Sequence, residues 1–205
     1  MAEDKRIVLR KELKPYANMT DAPYELQKKA MEYYRSLETV KDGSIKVSKS
    51  KYDLATCGNK TEQEIYSYES ETAKVLGDIG AEMLLLPESN AVLLFNGDHS
   101  DSIIEEIWGE IKNPQSKNRI QHHFARAMQQ GDCLILDIDR IPNCTAEEAA
   151  TRINGILKDN DANIDAEGKG VIIVSGKQIT KMGKKKWNPC LGSIGSGGDK
   201  SSPAP

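Results

Sequence analysis

Two short apolar runs constrain this chain more than any other feature. CLILDI at 133–138 and GVIIV at 170–174 are hydrophobic at nearly every position rather than at alternate ones. A strand that is apolar on both faces needs cover on both, so each belongs inside a sheet. Each also follows a stretch with helical spacing, 117–130 and 145–160. A helix leading into a buried strand is the signature of a crossover connection, and hence of a sheet with helices packed against it. Composition locates that core. Ile, Leu, Val and Phe number 43, and 31 of them fall within 65–180. The expected organisation is therefore an N-terminal extension with one short helix (1–58), a core domain (59–180), and a basic segment with a Gly/Ser/Pro tail (181–205).

Within the core the elements read in order. Residues 61–79 have the periodicity of an amphipathic helix. Thr61 is its expected N-cap, Glu64 the partner in a capping box, and Gly80 its stop. Ile65, Tyr68, Thr72, Leu76 and Ile79 mark the expected apolar face. Residues 81–86 and 91–95 read as strands, stopped by Pro87 and by Asn96-Gly97. Residues 102–112 are strand-like with a break near Glu105-Glu106. The predicted fold is α/β, a mixed sheet flanked by helices in the order α-β-β-β-α-β-α-β.

Several classes are excluded by simple counts. No apolar run approaches the roughly 18 residues of a membrane-spanning helix. The first residues, MAEDKRIVLRKELK, lack the apolar stretch of a secretory signal. Four cysteines without a CxxC pair, and three histidines, argue against a zinc cage. Reduced thiols are expected. A net charge of −3 argues against a chain that coats nucleic acid along its length, though it leaves room for a local basic surface.

The chemistry concentrates in 100–112, SDSIIEEIWGEIK. On a strand, residues two apart share a face, so Glu110 and Lys112 point together and Ile111 points away. Asp101 lies within reach of the same place. Two hard carboxylate ligands suit Mg²⁺ or Mn²⁺, and an ammonium beside them suits a phosphate substrate. The triplet Glu-x-Lys alone says little, because it occurs four times here, at 3/5, 12/14, 110/112 and 167/169. Only the third follows a strand-like run with an acid upstream and a helix downstream. The plainer alternative is a solvated salt bridge on an exposed strand.

Those residues and the element order around them resemble the PD-(D/E)XK nuclease superfamily over about residues 61–175. This chain has Ser100-Asp101 where the family pattern has Pro-Asp. The resemblance implies a restriction-endonuclease-like core in which Asp101 and Glu110 hold Mg²⁺ (or Mn²⁺) and Lys112 positions water. The family's first helix often adds an acidic ligand, for which Glu69 is the first candidate and Glu71 the second. YESETAKVLGDIGAEMLLLPES and the stretch from HSDSIIEEIWGEIK to GDCLILDI also resemble the C-terminal nuclease domains of contact-dependent growth-inhibition (CdiA-type) toxins. That narrower likeness implies a metal-dependent endonuclease acting on RNA in a cytoplasm, with tRNA the best candidate, and an immunity protein as partner. A DNA endonuclease of the same fold and a catalytically silent nucleic-acid-binding or phage accessory module remain the alternatives. A nucleic-acid contact surface is expected from Lys117, Arg119 and Arg126, since 111–131 contains no Asp or Glu. Gln130 is the preferred site-lining glutamine, by resemblance, and Lys184, Lys185 and Lys186 form a second basic stretch.

Overall fold

A computed structural model describes residues 2–88, 92–94, 99–159 and 169–183. In chain order these form α1 (Ala2–Leu13), α2 (Tyr24–Arg35), β1 (Thr39–Asp42), β2 (Ile45–Ser48), α3 (Lys49–Cys57) and α4 (Lys60–Asp78). There follow β3 (Met83–Leu85), β4 (Ser102–Ile104), β5 (Ile107–Lys112), α5 (Arg119–Gln130), β6 (Cys133–Asp137), α6 (Ala146–Asp159), β7 (Gly170–Ser175) and β8 (Gln178–Met182). The eight strands lie side by side in chain order in one mixed sheet. β2/β3, β5/β6 and β6/β7 are parallel, and the other pairs antiparallel. The α/β expectation holds, and so does the reading of the two apolar runs. All of β6, and β7 up to Val174, are buried.

Side-chain alternation sorts the core onto two faces. Ile45, Val47, Met83, Leu85, Ile104, Ile111, Ile135 and Ile172 pack with Tyr66, Ala73 and Leu76 of α4. On the other face, Leu84, Ile103 and Trp108 pack with α1 and α2, and Leu134, Leu136, Val171 and Ile173 with α5 and α6. Trp108 is buried, meets Tyr34 edge-on with ring centroids 6.1 Å apart, and donates its indole N–H to Gln27 at 3.1 Å.

Four expectations are corrected. Residues 1–58 hold three helices and a hairpin rather than one short helix, and β1 and β2 belong to the same sheet as the core. Their share of large aliphatic residues is low because Tyr33, Tyr34, Met31 and Met19 do the packing there. The helix expected at 61–79 starts earlier. Asn59 accepts the Glu62 N–H at 3.1 Å and Glu62 accepts the Asn59 N–H at 2.7 Å, so the capping box sits two residues upstream. Its buried residues are Tyr66, Glu69, Ser70, Thr72, Ala73 and Leu76, whereas Ile65, expected on that face, is 42% exposed. Finally, the expected strand at 91–95 is absent from its described part, 92–94. There the Tyr34 hydroxyl accepts the Leu94 N–H at 3.0 Å and the Tyr33 hydroxyl donates to the Val92 carbonyl at 2.9 Å, so side chains of α2 take the place of a strand partner.

The anticipated break near Glu105-Glu106 divides 102–112 into the hairpin β4–β5, which restores the predicted three strands between α4 and α5. Glu105 adopts φ +55° there. Its N–H donates to the Glu82 carbonyl at 2.8 Å and its carboxylate accepts the Glu82 N–H at 2.9 Å, which holds a non-glycine residue in the left-handed region. β8 was not foreseen.

Candidate active site

The hairpin brings Asp101, Glu110 and Lys112 together. β4 pairs with β5 through Ser102↔Gly109, which sets Asp101 across from the Glu110–Ile111 stretch. The Asp101 carboxylate accepts the Ile111 N–H at 2.9 Å, and its own carbonyl accepts the Leu86 N–H at 2.9 Å. Both ends of Asp101 are thereby fixed to neighbouring backbone. The Lys112 ammonium hydrogen-bonds Glu110 Oε1 and lies 3.7 Å from Asp101 Oδ2. One ammonium thus contacts both carboxylates.

Glu69 enters from α4. It lies seven residues before the fully buried Leu76, on the same side of the helix, and is itself 8% exposed, as the spacing predicts. Glu71, the second candidate, is exposed and accepts from Ser67 at 3.1 Å. Glu69 is joined by two residues that sequence reasoning missed. Lys51 of α3, 1% exposed, places Nζ 2.5 Å from Glu69 Oε2 and 2.7 Å from Glu88 Oε1, just beyond β3. Nothing in the KSKYDL run sets Lys51 apart from the surface lysines beside it. Glu88 carried a faint signal, as the acid directly after the Pro87 that stops an apolar strand.

The electrostatics tie the group into one unit. Burial, reinforced by the charge of Asp101, pushes the Glu110 carboxyl up to about 8 against the pull of Lys112. Burial likewise raises Glu69 to about 7, against the pull of Lys51. For Lys112 and Lys51 burial works toward neutrality, but the surrounding carboxylates outweigh it and raise both, so the two ammoniums stay charged. Fully ionised, four carboxylates (Glu69, Glu88, Asp101, Glu110) face two ammoniums. The excess is negative, largely desolvated, and costly to keep without further positive charge. Glu110 Oε2 and the Gln130 Oε1 are buried with no hydrogen-bond partner.

Hard oxygen donors with an unpartnered buried carboxylate oxygen fit Mg²⁺ or Mn²⁺ in chemistry. Among the described residues no three His, Cys, Asp or Glu side chains are already gathered as a metal cage. The reason is visible in the contacts above, where lysines stand between the acids.

A second polar group adjoins at the C-terminal ends of β5 and β6. Thr72 donates to Asp137 Oδ2 at 2.7 Å, and Asn113 donates to the same oxygen and to the Thr72 hydroxyl, both at 3.0 Å. The acid that ends the otherwise apolar CLILD run was a legible signal for it.

Other expected contact residues lie apart. Lys117 precedes α5 and is bound by Glu148 of α6 at 2.6 Å, while Arg119 and Arg126 are exposed along the helix. Gln130 ends α5 and is buried, and its carbonyl accepts the Ser100 hydroxyl at 2.7 Å, beside Asp101. Twelve helical residues span about 18 Å, so Lys117 and Gln130 cannot touch one phosphate together. His123, half-buried on this helix, is lowered by burial and by the Lys112 charge. Lys184, Lys185 and Lys186 lie outside the described residues. Among the described residues no helix is long and apolar enough to cross a membrane.

Neither a protein-family model nor a curated protein matches the chain. Among solved structures, it is similar to a CdiA-CT/CdiI toxin and immunity complex from Burkholderia pseudomallei, at 12% identity and a TM-score of 0.47, over 66% of this chain and 97% of that one.

Proposed function

We propose that this protein is a metal-dependent endonuclease of the PD-(D/E)XK type that hydrolyses phosphodiester bonds in RNA, with tRNA the first substrate to test. The observation that carries the reading is the convergence of Asp101, Glu110 and Lys112 on one point, with Glu69 supplied by the first core helix and Glu110 Oε2 left without a partner. An exposed salt bridge on a strand face would need none of this burial. Asp101, Glu110 and Glu69 would hold Mg²⁺ or Mn²⁺, which when bound supplies positive charge at the phosphate.

The chain's own residues account for the remaining requirements. Asp101 is pre-positioned by the Ile111 N–H, so it needs little reorganisation to receive a ligand. Lys112 stays protonated and presents a fixed ammonium where a phosphate oxygen gathers charge and where an attacking water needs orientation. Burial of Glu110 excludes bulk water and strengthens the electrostatic contacts it makes. The exposed Arg119 and Arg126 offer backbone phosphate contacts outside it. The resemblance in sequence also suggests a toxin-like or mobile-element setting, action in a cytoplasm, and an immunity protein as partner.

The test is a cleavage assay with tRNA and with plasmid DNA, each in Mg²⁺ and in chelator. Cleavage of tRNA only with Mg²⁺, abolished in Glu110→Gln, is the expected result. Plasmid nicking with tRNA spared would move the substrate to DNA. Cleavage of neither, with no Mn²⁺ bound, would leave a silent binding module.

A further inference from the structure

Lys51 has no part in that reading, yet it is the more deeply enclosed of the two ammoniums in the cluster. Its side chain is 1% exposed, against 19% for Lys112. Its ammonium bridges two acids from separate elements, Glu69 on α4 and Glu88 after β3, at 2.5 and 2.7 Å. A helix that buries a lysine gives up side-chain entropy and solvation, and here both partners are acids of the proposed metal site or its border. Glu110 keeps one buried oxygen without a hydrogen-bond partner, and the two lysines stand against four acids.

We infer that Lys51 is a built-in cation standing where a second metal ion would otherwise bind, so that the site takes one divalent ion, at Asp101, Glu110 and Glu69, rather than two. This rests on the metal-nuclease reading. Lys51 touches neither substrate nor ion in this scheme. It is a positioning residue that holds Glu69 and Glu88 at fixed places and supplies charge there without exchange. In its absence the two carboxylates are hard oxygen donors with no counter-charge, which is the condition under which Mn²⁺ or Mg²⁺ enters.

The experiment measures Mn²⁺ stoichiometry of the full chain by calorimetry, with thermal unfolding alongside, for wild type and for Lys51→Met, which keeps the side chain's length without its charge. Wild type is expected to bind one Mn²⁺, and Lys51→Met a second, with a larger rise in Tm on Mn²⁺ addition than wild type shows. Adding Glu88→Gln to Lys51→Met should remove that second ion. If Lys51→Met is unfolded without metal, circular dichroism during Mn²⁺ titration replaces the count: refolding supports the inference and its absence overturns it. One ion in both proteins, or two in wild type, overturns the role of Lys51 and leaves the metal reading standing. No ion in wild type removes the metal reading. In that case a single ion gained by Lys51→Met still supports the role of Lys51, and none overturns both.

Discussion

Two ion clusters of similar make-up occupy opposite situations in this protein. One is on the surface between α5 and α6, where Glu148 meets Lys117 at 2.6 Å and Arg152 at 3.6 Å. The other is inside, where Asp101 and Glu110 meet Lys112, and Glu69 meets Lys51. The glutamates respond in opposite directions. Glu148 is lowered by its hydrogen bond from Lys117, whereas Glu110 is raised by burial despite its own hydrogen bond from Lys112. Solvent makes the difference. At the surface water stabilises the charged form and the lysine adds to it, while inside the lysine replaces water only in part. An ion pair is therefore no sign of function by its residue types. A buried group with more acids than lysines is one, because its remaining charge is a standing demand for a ligand.

The largest effect that would break this contrast is catalytic. Lys112→Ala should lower kcat by about 10²–10³-fold, the usual result of removing one preorganised charge from a site, and wild-type rates in that variant would sink the mechanism. The check is single-turnover tRNA cleavage in saturating Mg²⁺.

A second effect concerns buried hydrogen bonds beside the site. Thr72→Val removes a hydroxyl shared by Asp137 and Asn113 and should cost about 1–3 kcal/mol in urea unfolding. A loss well under that range would mean that water reaches Asp137 freely.

A third effect is a pH dependence. Glu110 is raised from 4.5 to about 8 in the folded protein, so between those values the native state holds a proton that the unfolded chain has released. Stability in chelator should then fall as pH rises through this interval, and Glu110→Gln should flatten the fall. Tm measured from pH 5 to 9 in both proteins decides it, and a wild-type Tm that rises with pH would contradict the burial of Glu110.

The smallest effect is expected outside. Glu148→Gln should leave stability nearly unchanged, as loss of an exposed pair generally does, and leave cleavage unaltered. Salt titration of Tm is the sensitive measurement. A loss as large as that of Thr72→Val would show that the two clusters are not different in kind.

The sequence by itself determined the buried strands β6 and β7 and the helices that lead into them, because apolar runs flanked by helical periodicity have few other ways to be covered, but not β1, β2 or β8. It also determined that Asp101, Glu110 and Lys112 could meet, since strand alternation places Glu110 and Lys112 on one face and a break at Glu105-Glu106 folds Asp101 back toward them. Tertiary structure decided what no local pattern contains. Two tyrosines of α2 replaced a strand at 92–94. Above all, a lysine identical in sequence to its surface neighbours became Lys51, because burial belongs to the packing of α3 against α4 and β2 and not to the residue.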